Sequence, residues 1–295
     1  MIHNFSFRQT RNHLLSSALA LLLFAGVWTG SLFSSAAFCA AQPIPKSSKV
    51  STEHLSSIRY DFYLLEQPRP VRIHVLTIDL SEGKVEPIAV IAPQADEQSC
   101  SAVRTDPRLL AAHPSLQAFV NANPWSPWGP TYPINVRILG LAATEGKIRC
   151  FHQGVSVWTD RSRRVFIGEP NNIQDIREGV GGFEQILKAS EVLPGPGGAL
   201  HPRTAVGVNR DGTHLYLAAA DGRQPGFSEG MTLEELARFM KQLGCWDAAN
   251  MDGGGSTILG IINPQGQIQI LNNPSGPVRA LPVILTIRLK PQSNP

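Results

Sequence analysis

From residue 58 onward the chain is written as short apolar runs broken by turn residues, the spacing expected of strands rather than helices. Such runs occupy Ile58–Leu65, Val71–Leu80 and Val85–Ile91; in the second, Val71, Ile73, Val75 and Thr77 recur at a two-residue period. Leu116–Asn121, Val136–Ala142, Gly154–Trp158 and Arg164–Ile167 extend the series. Ala205–Val208 and Leu215–Ala220 flank Asn209-Arg210-Asp211-Gly212, a hairpin-type turn, and Trp246–Met251 reads as one more short strand. Pro124–Pro133 carries four prolines, two tryptophans and a glycine, which predicts irregular backbone. One helix is well signed. Thr232 and Glu235 form a capping box, Leu233, Leu236, Ala237, Met240 and Leu243 make an apolar stripe at helical spacing, and Gly244 ends it. The pattern predicts an α+β domain over residues 58–291, with strand-rich mixed sheets and few helices, not a doubly wound parallel sheet.

The first 41 residues follow another rule. Arg8 and Arg11 precede an uncharged stretch through Leu19–Phe24, which ends in small residues between Ser34 and Ala41. This is the layout of a secretory signal, with cleavage after Cys39 or after Ala41 both compatible with the small-residue rule. The uncharged stretch from Leu14 to Ala41 is also long enough to stay as a membrane anchor. Either way the mature domain is expected to be exported: periplasmic, extracellular or attached to the cell envelope. Gln42–Ser57 reads as a linker. Removing Arg8 and Arg11 takes the formal charge from +3 to +1, and no Lys/Arg run suggests nucleic acid as a partner. Cys100, Cys150 and Cys245 remain; in an oxidising compartment Cys100 and Cys150 can pair, leaving Cys245 a buried thiol. No CxxC or Cys/His spacing signals structural zinc.

The densest chemistry is in Asn250-Met251-Asp252-Gly253-Gly254-Gly255-Ser256. A carboxylate at the end of an apolar segment is followed by three glycines, which lose more backbone freedom on ordering than any other residue. Such a run suits a backbone that approaches a ligand closely and turns N–H groups toward anionic oxygens. As a strand, the segment places Asn250 and Asp252 on one face. Two further clusters sit at strand ends: His201-Pro202-Arg203-Thr204, and Asp221-Gly222-Arg223-Gln224 running through Ser228 into the capped helix. Arginine grips phosphate through a rigid fork of donors, and the glycines add backbone donors. Asp252-Gly253 and Asp221-Gly222 are also ordinary turn dipeptides, and Arg203 an ordinary ion-pair partner. His201, before a proline, is expected to position its loop. Trp125, Trp128 and Tyr132 are either sugar-stacking faces or local core plugs.

HPRTAVG from His201, DGRQPGFSEGMTLEELA from Asp221 and LGCWDAANMDGGGST ending at Thr257 together resemble the phosphodiester glycosidase family. Looser similarity reaches back to Gly181-Gly182-Phe183 and Asn121 and forward to Asn273-Pro274-Ser275 and Arg279. After Asn121 the chain departs from the family pattern with Ala122-Asn123-Pro124-Trp125. The resemblance implies cleavage of a sugar-1-phosphodiester to free sugar and a phosphomonoester, with a phosphorylated saccharide as partner. Glycosidic cleavage passes through an oxocarbenium-like state normally served by two carboxyl groups. Asp252 is expected to be nucleophile or water-activating base, Arg203 and Arg223 a phosphate clamp, and Asp221 a second carboxyl or an orienter of arginine. Thr204, Ser228, Gly253, Gly254, Gly255 and Ser256 are expected to hold substrate oxygens; only the resemblance adds Asn121 and Arg279. No cofactor is expected. In the rival reading Asp221 and Asp252 share a divalent cation such as calcium in a phosphodiesterase; in a third the domain binds polysaccharide without turnover. Ser256 lacks the G-x-S-x-G context of a serine hydrolase, and no GK[ST] element marks a nucleotide loop.

Overall fold

The computed structural model describes residues 55–127, 133–195 and 198–290. The targeting segment 1–41, all of the linker but its last residues, Trp128 and Tyr132 lie outside them. Strand-rich the protein is. Among the described residues there are two α-helices and four antiparallel sheets, of seven, five, five and three strands.

The seven-stranded sheet organises the rest. Its spatial order runs Ile58–Leu65, Val71–Asp79, His214–Ala220, Arg203–Val208, Asp247–Asn250, Glu184–Lys188 and Glu191–Val192. Both of its faces are covered, which explains why its central strands bury apolar residues on either side. Ile73, Val75, Ala205, Ala218 and Ala248 pack under the helix Leu233–Gln242, against Leu236, Phe239 and Met240. Leu76, Ile78, Val206, Leu217 and Ala249 turn the other way into the central core, which also holds Val120, Leu259 and Leu285. Those three belong to a five-stranded sheet ordered Ile268–Ile270, Leu259–Ile262, Leu116–Asn121, Val283–Leu289 and Val85–Ile91. The capping box forms as expected: Glu235 N–H donates to the Thr232 hydroxyl at 3.1 Å and Thr232 N–H to the Glu235 carboxylate at 2.9 Å. Gly244 follows the helix at φ +94°, the left-handed conformation a glycine tolerates.

Two readings of the polarity pattern need correction. Val136–Ala142 is not one strand: Asn135–Ile138 and Ala142–Thr144 belong to different sheets. The proline-rich segment is not wholly irregular, because Trp125–Ser126 pairs with Ile138 and Arg137 in the three-stranded sheet. A two-residue strand needs only two free amides, so the flanking prolines do not forbid it.

The Cys100–Cys150 disulfide is present and Cys245 is a buried free thiol, its ionisation pushed well up by burial. The bridge spans 50 residues and joins the chain leading into Ser101–Val103, a partner of Asn135–Ile138, to strand Lys147–Cys150. Replacing both cysteines by serine is expected to cost about 2–4 kcal/mol, mostly by freeing the unfolded chain. Denaturant unfolding of the variant against the oxidised wild type, both without reductant, measures this.

Candidate active site

The three motifs meet at one edge of the seven-stranded sheet. Arg203–Val208 and Asp247–Asn250 are antiparallel neighbours, with Ala205 opposite Asn250, so the start of one and the end of the other share an edge. Beyond the pairing, Met251 N–H donates to Thr204 O at 2.9 Å and Gly254 N–H to Pro202 O at 2.9 Å. The loop Asp221–Met231 closes the edge from above, with His201 and Met231 exchanging both backbone hydrogen bonds. The result is a cleft of about 350 Å³ lined by Trp125, Phe183, His201, Arg203, Arg223, Asn250, Asp252, the three glycines, Arg279 and their neighbours.

Asp252 stands half-buried in its wall. Burial raises its carboxyl to about 6, against the downward pull of a hydrogen bond from Ser256, the charge of Arg279, the Gly253 amide and the Trp125 side chain. Its backbone is held from two sides: Asp252 N–H donates to Ala122 O at 3.0 Å, and Asn121 donates through Nδ2 to Asp252 O. Asn121 Oδ1 accepts from the Thr204 hydroxyl at 2.8 Å and from Ile258 N–H at 3.0 Å.

Each glycine of the run answers a separate close approach. A Cβ on Gly253 would lie 2.8 Å from Pro202 O, one on Gly254 3.1 Å from both terminal nitrogens of Arg223, and one on Gly255 2.3 Å from Nη2 of Arg279. Two guanidinium groups therefore lie against this loop where side chains would otherwise stand. Arg223 is held at φ +58°, a backbone state non-glycine residues rarely adopt and that concentrates at functional sites. Its Nη2 donates to His201 Nδ1 at 3.2 Å. Because a guanidinium has no acceptor, Nδ1 must be the accepting nitrogen, so neutral His201 carries its proton on Nε2. Burial lowers the His201 pKa, and the charges of Arg223 and Arg203 push it further down. Arg203 is anchored through Nε to Met231 O and through Nη2 to Ala199 O, both at 3.0 Å.

Several expected site residues lie elsewhere. Asp221 does not line the cleft: it is 1 % exposed, its Oδ1 accepting from Asn272 Nδ2 and Asn273 N–H and its Oδ2 lying 3.4 Å from His74 Nε2. It touches neither arginine, and its work is to anchor the loop bearing Arg223 to the segment 272–273. Ser228 is buried in the same clasp, donating to Asp221 O and accepting from Arg72 N–H. Asn121 and Thr204 are wholly buried and act through the backbone around Asp252, not on a ligand. Ser256 is buried as well, hydrogen-bonded to Asp252 and, at 3.2 Å, to Arg279. The Gly254 amide is already taken by Pro202, so it is not a free donor. Short polar residues at strand ends read alike in sequence whether they serve a loop or a ligand.

Other expected residues do reach the cleft. Arg279, expected from the resemblance alone, faces the loop of Asp252, and His201 is a cleft wall rather than a mere loop former. Phe183, 54 % exposed, stands at the cleft, and Trp125 is both wall and partner of Asp252. Asn250 was predicted on the face of Asp252, but not the carboxylate of Glu184 beside it, 3.2 Å from Asn250 Nδ2. Among the described residues the one cluster of metal-ligand type is Cys100, Cys150 and His152, of which two are tied in the disulfide.

Asp252 must ionise to serve as nucleophile or base, so kcat/KM is expected to rise as pH passes upward through about 6. Stability runs the other way. The folded carboxyl titrates above its reference value of 3.8, so the stabilisation belongs to the protonated form, is complete below about pH 4 and is lost as pH rises through about 6. Rate and melting profiles recorded over pH 4–8 check the crossing.

Comparison with known proteins agrees with this architecture. The chain is 34% identical, over 101 residues, to the mouse enzyme N-acetylglucosamine-1-phosphodiester alpha-N-acetylglucosaminidase; the match covers 34% of this chain and 17% of that one. The zebrafish catalytic domain of the same name, auto-inhibited by its pro-peptide, superposes with a TM-score of 0.61 at 17% identity, covering 85% of this chain and 88% of that structure. A hypothetical protein from Synechocystis gives a TM-score of 0.58 at 12% identity, over 80% and 62% of the two chains. These two share the fold. The sequence profile named Phosphodiester glycosidase matches residues 117–288, from the strand that ends in Asn121 past Arg279, and with every cleft residue inside that span the chain belongs to the phosphodiester glycosidase family.

Proposed function

We propose that this protein is an exported hydrolase that cleaves the glycosidic bond of a sugar-1-phosphodiester, releasing free sugar and a phosphomonoester. The observation that carries the reading is one half-buried carboxylate, Asp252, that shares a single cleft with Arg203, Arg223 and Arg279. A phosphate leaving group needs its charge neutralised more than it needs a proton, and three guanidinium groups supply that neutralisation. Asp252, ionised above pH 6, acts at the anomeric carbon or on the attacking water. The name of the mouse relative suggests N-acetylglucosamine as the sugar, and the aromatic walls Trp125 and Phe183 suit a pyranose ring. Export is supported by the N-terminal pattern and by the disulfide, a bond of oxidising compartments.

The rival phosphodiesterase requires Asp221 and Asp252 to share a cation. Asp221 is turned away from the cleft into contacts with His74, Asn272 and Asn273, so that pair is not assembled. Incubation with a panel of sugar-1-phosphodiesters, with and without chelator, tests the reading. Free sugar and phosphomonoester in equal amounts, formed in either condition and reduced on the order of 10²-fold in Arg223→Ala, are expected. Sugar-1-phosphate as the product, or activity abolished by chelator, would count against it.

A further inference from the structure

The strand pairing sets Glu184, Asn250 and Ala205 in one cross-strand row, so the first two side chains stand side by side on one face. Asn250 is 3 % exposed, lines the cleft and donates through Nδ2 to Glu184 Oε2 at 3.2 Å. A carboxylate can only accept, so Glu184 decides which way round the amide lies and forces Oδ1 to point away. That oxygen is closed to bulk water and has no hydrogen-bond partner among the described residues. An unsatisfied buried acceptor is costly, and its cost is removed when a ligand brings a donor to it. The charge of Glu184 also acts on Arg203, so the carboxylate is stationed beside the arginine cluster without lining the cleft itself.

We propose that Asn250 Oδ1 accepts a hydrogen bond from a hydroxyl or amide N–H of the substrate sugar, making Asn250 a specificity-determining residue and Glu184 the residue that positions it. This rests on the sugar-phosphodiester reading and deepens it. The guanidinium groups elsewhere in the cleft suit oxygens that accept; Asn250 suits a group that donates. The sugar is thereby selected by a donor at one ring position, and the phosphate by the arginines.

The test compares the parent sugar-1-phosphodiester with its 2-, 3-, 4- and 6-deoxy analogues, the 2-acetamido sugar included. In the wild type, removal of the one donor that meets Asn250 is expected to lower kcat/KM about tenfold, the worth of one neutral hydrogen bond. In Asn250→Leu, similar in shape and without polar atoms, that penalty disappears while the penalties at the other ring positions persist. In Glu184→Gln, where the partner can both donate and accept, the amide is free to turn over and the same single penalty shrinks severalfold. Thermal melting confirms that each variant folds, and Glu184→Gln, which leaves Asn250 in place, serves if Asn250→Leu does not. A wild type indifferent to every deoxy position, or variants that lower all analogues by one common factor, would overturn the inference and leave the parent reading standing. A wild type inactive on the whole panel would overturn both.

Discussion

Asp252→Asn is expected to reduce hydrolysis on the order of 10³-fold or more while leaving the protein folded. The substitution keeps the shape of the side chain and removes the one charge that can serve as nucleophile or base. Its effect on stability has a sign that an ordinary core substitution would not show. Burial disfavours the ionised carboxyl, raising it from 3.8 to about 6, even against the pull of Ser256, Arg279, Gly253 and Trp125. A neutral amide escapes that penalty. Above pH 6 the variant should therefore melt at or above the wild-type temperature, and the gain should vanish below about pH 4, where the wild-type carboxyl is protonated in both folded and unfolded chains. An inactive variant of greater stability is the signature of a group held at a cost for its chemistry. A variant less stable than wild type at pH 8 would mark Asp252 as a structural loop former instead.

The second large effect separates two kinds of glycine. Gly255→Ala places a methyl group 2.3 Å from Nη2 and 2.8 Å from Cζ of Arg279. The obstructed atoms are the far end of a flexible side chain, so the guanidinium can swing away and the backbone need not move. Stability should change by less than about 1 kcal/mol, while kcat/KM falls about 10²-fold as the arginine leaves its place beside Asp252. At Gly222 the same methyl group meets only backbone: Pro202 N at 2.6 Å, Gly230 Cα at 2.8 Å and His201 C at 2.9 Å. Gly222→Ala should cost at least about 2 kcal/mol, because neither chain can yield without breaking the clasp between the loop bearing Arg223 and the strand bearing Arg203. Denaturant unfolding and steady-state kinetics on the two variants should show opposite profiles, one losing activity and the other losing stability first.

These contrasts show what could be read from the chain and what could not. The strands Ile58–Leu65, Val85–Ile91 and Leu116–Asn121 stand where the polarity pattern puts them, because each is bounded by residues that end a strand for local reasons. The capped helix was equally legible, its start being fixed by one Thr and one Glu. What failed was long-range. Val136–Ala142 is apolar apart from Arg137, and only tertiary pairing shows that its two ends serve different sheets. In the site, charge identified Arg203 and Arg223, which no core accepts cheaply, and the resemblance added Arg279; the three do line one cleft. Asp221 carries the same charge as Asp252 and likewise precedes a glycine, yet its carboxylate finds His74 and Asn272 behind the cleft. Nothing local distinguishes a carboxylate that staples two loops from one that faces a ligand; burial decides, and burial belongs to the fold. Glu184 was missed for the converse reason, since its role follows from standing opposite Asn250 across a strand pair.

One measurement bears most directly on the claim that the cleft around Asp252 breaks a sugar–oxygen bond with phosphate as the leaving group. The enzyme is run to completion on a sugar-1-phosphodiester in ¹⁸O-labelled water, and the products are weighed by mass spectrometry. Attack at the anomeric carbon puts the heavy oxygen in the free sugar and leaves the phosphomonoester unlabelled, which is the outcome expected here. Heavy oxygen in the phosphomonoester or in a sugar phosphate would mean that water attacked phosphorus, and would contradict the role given to Asp252.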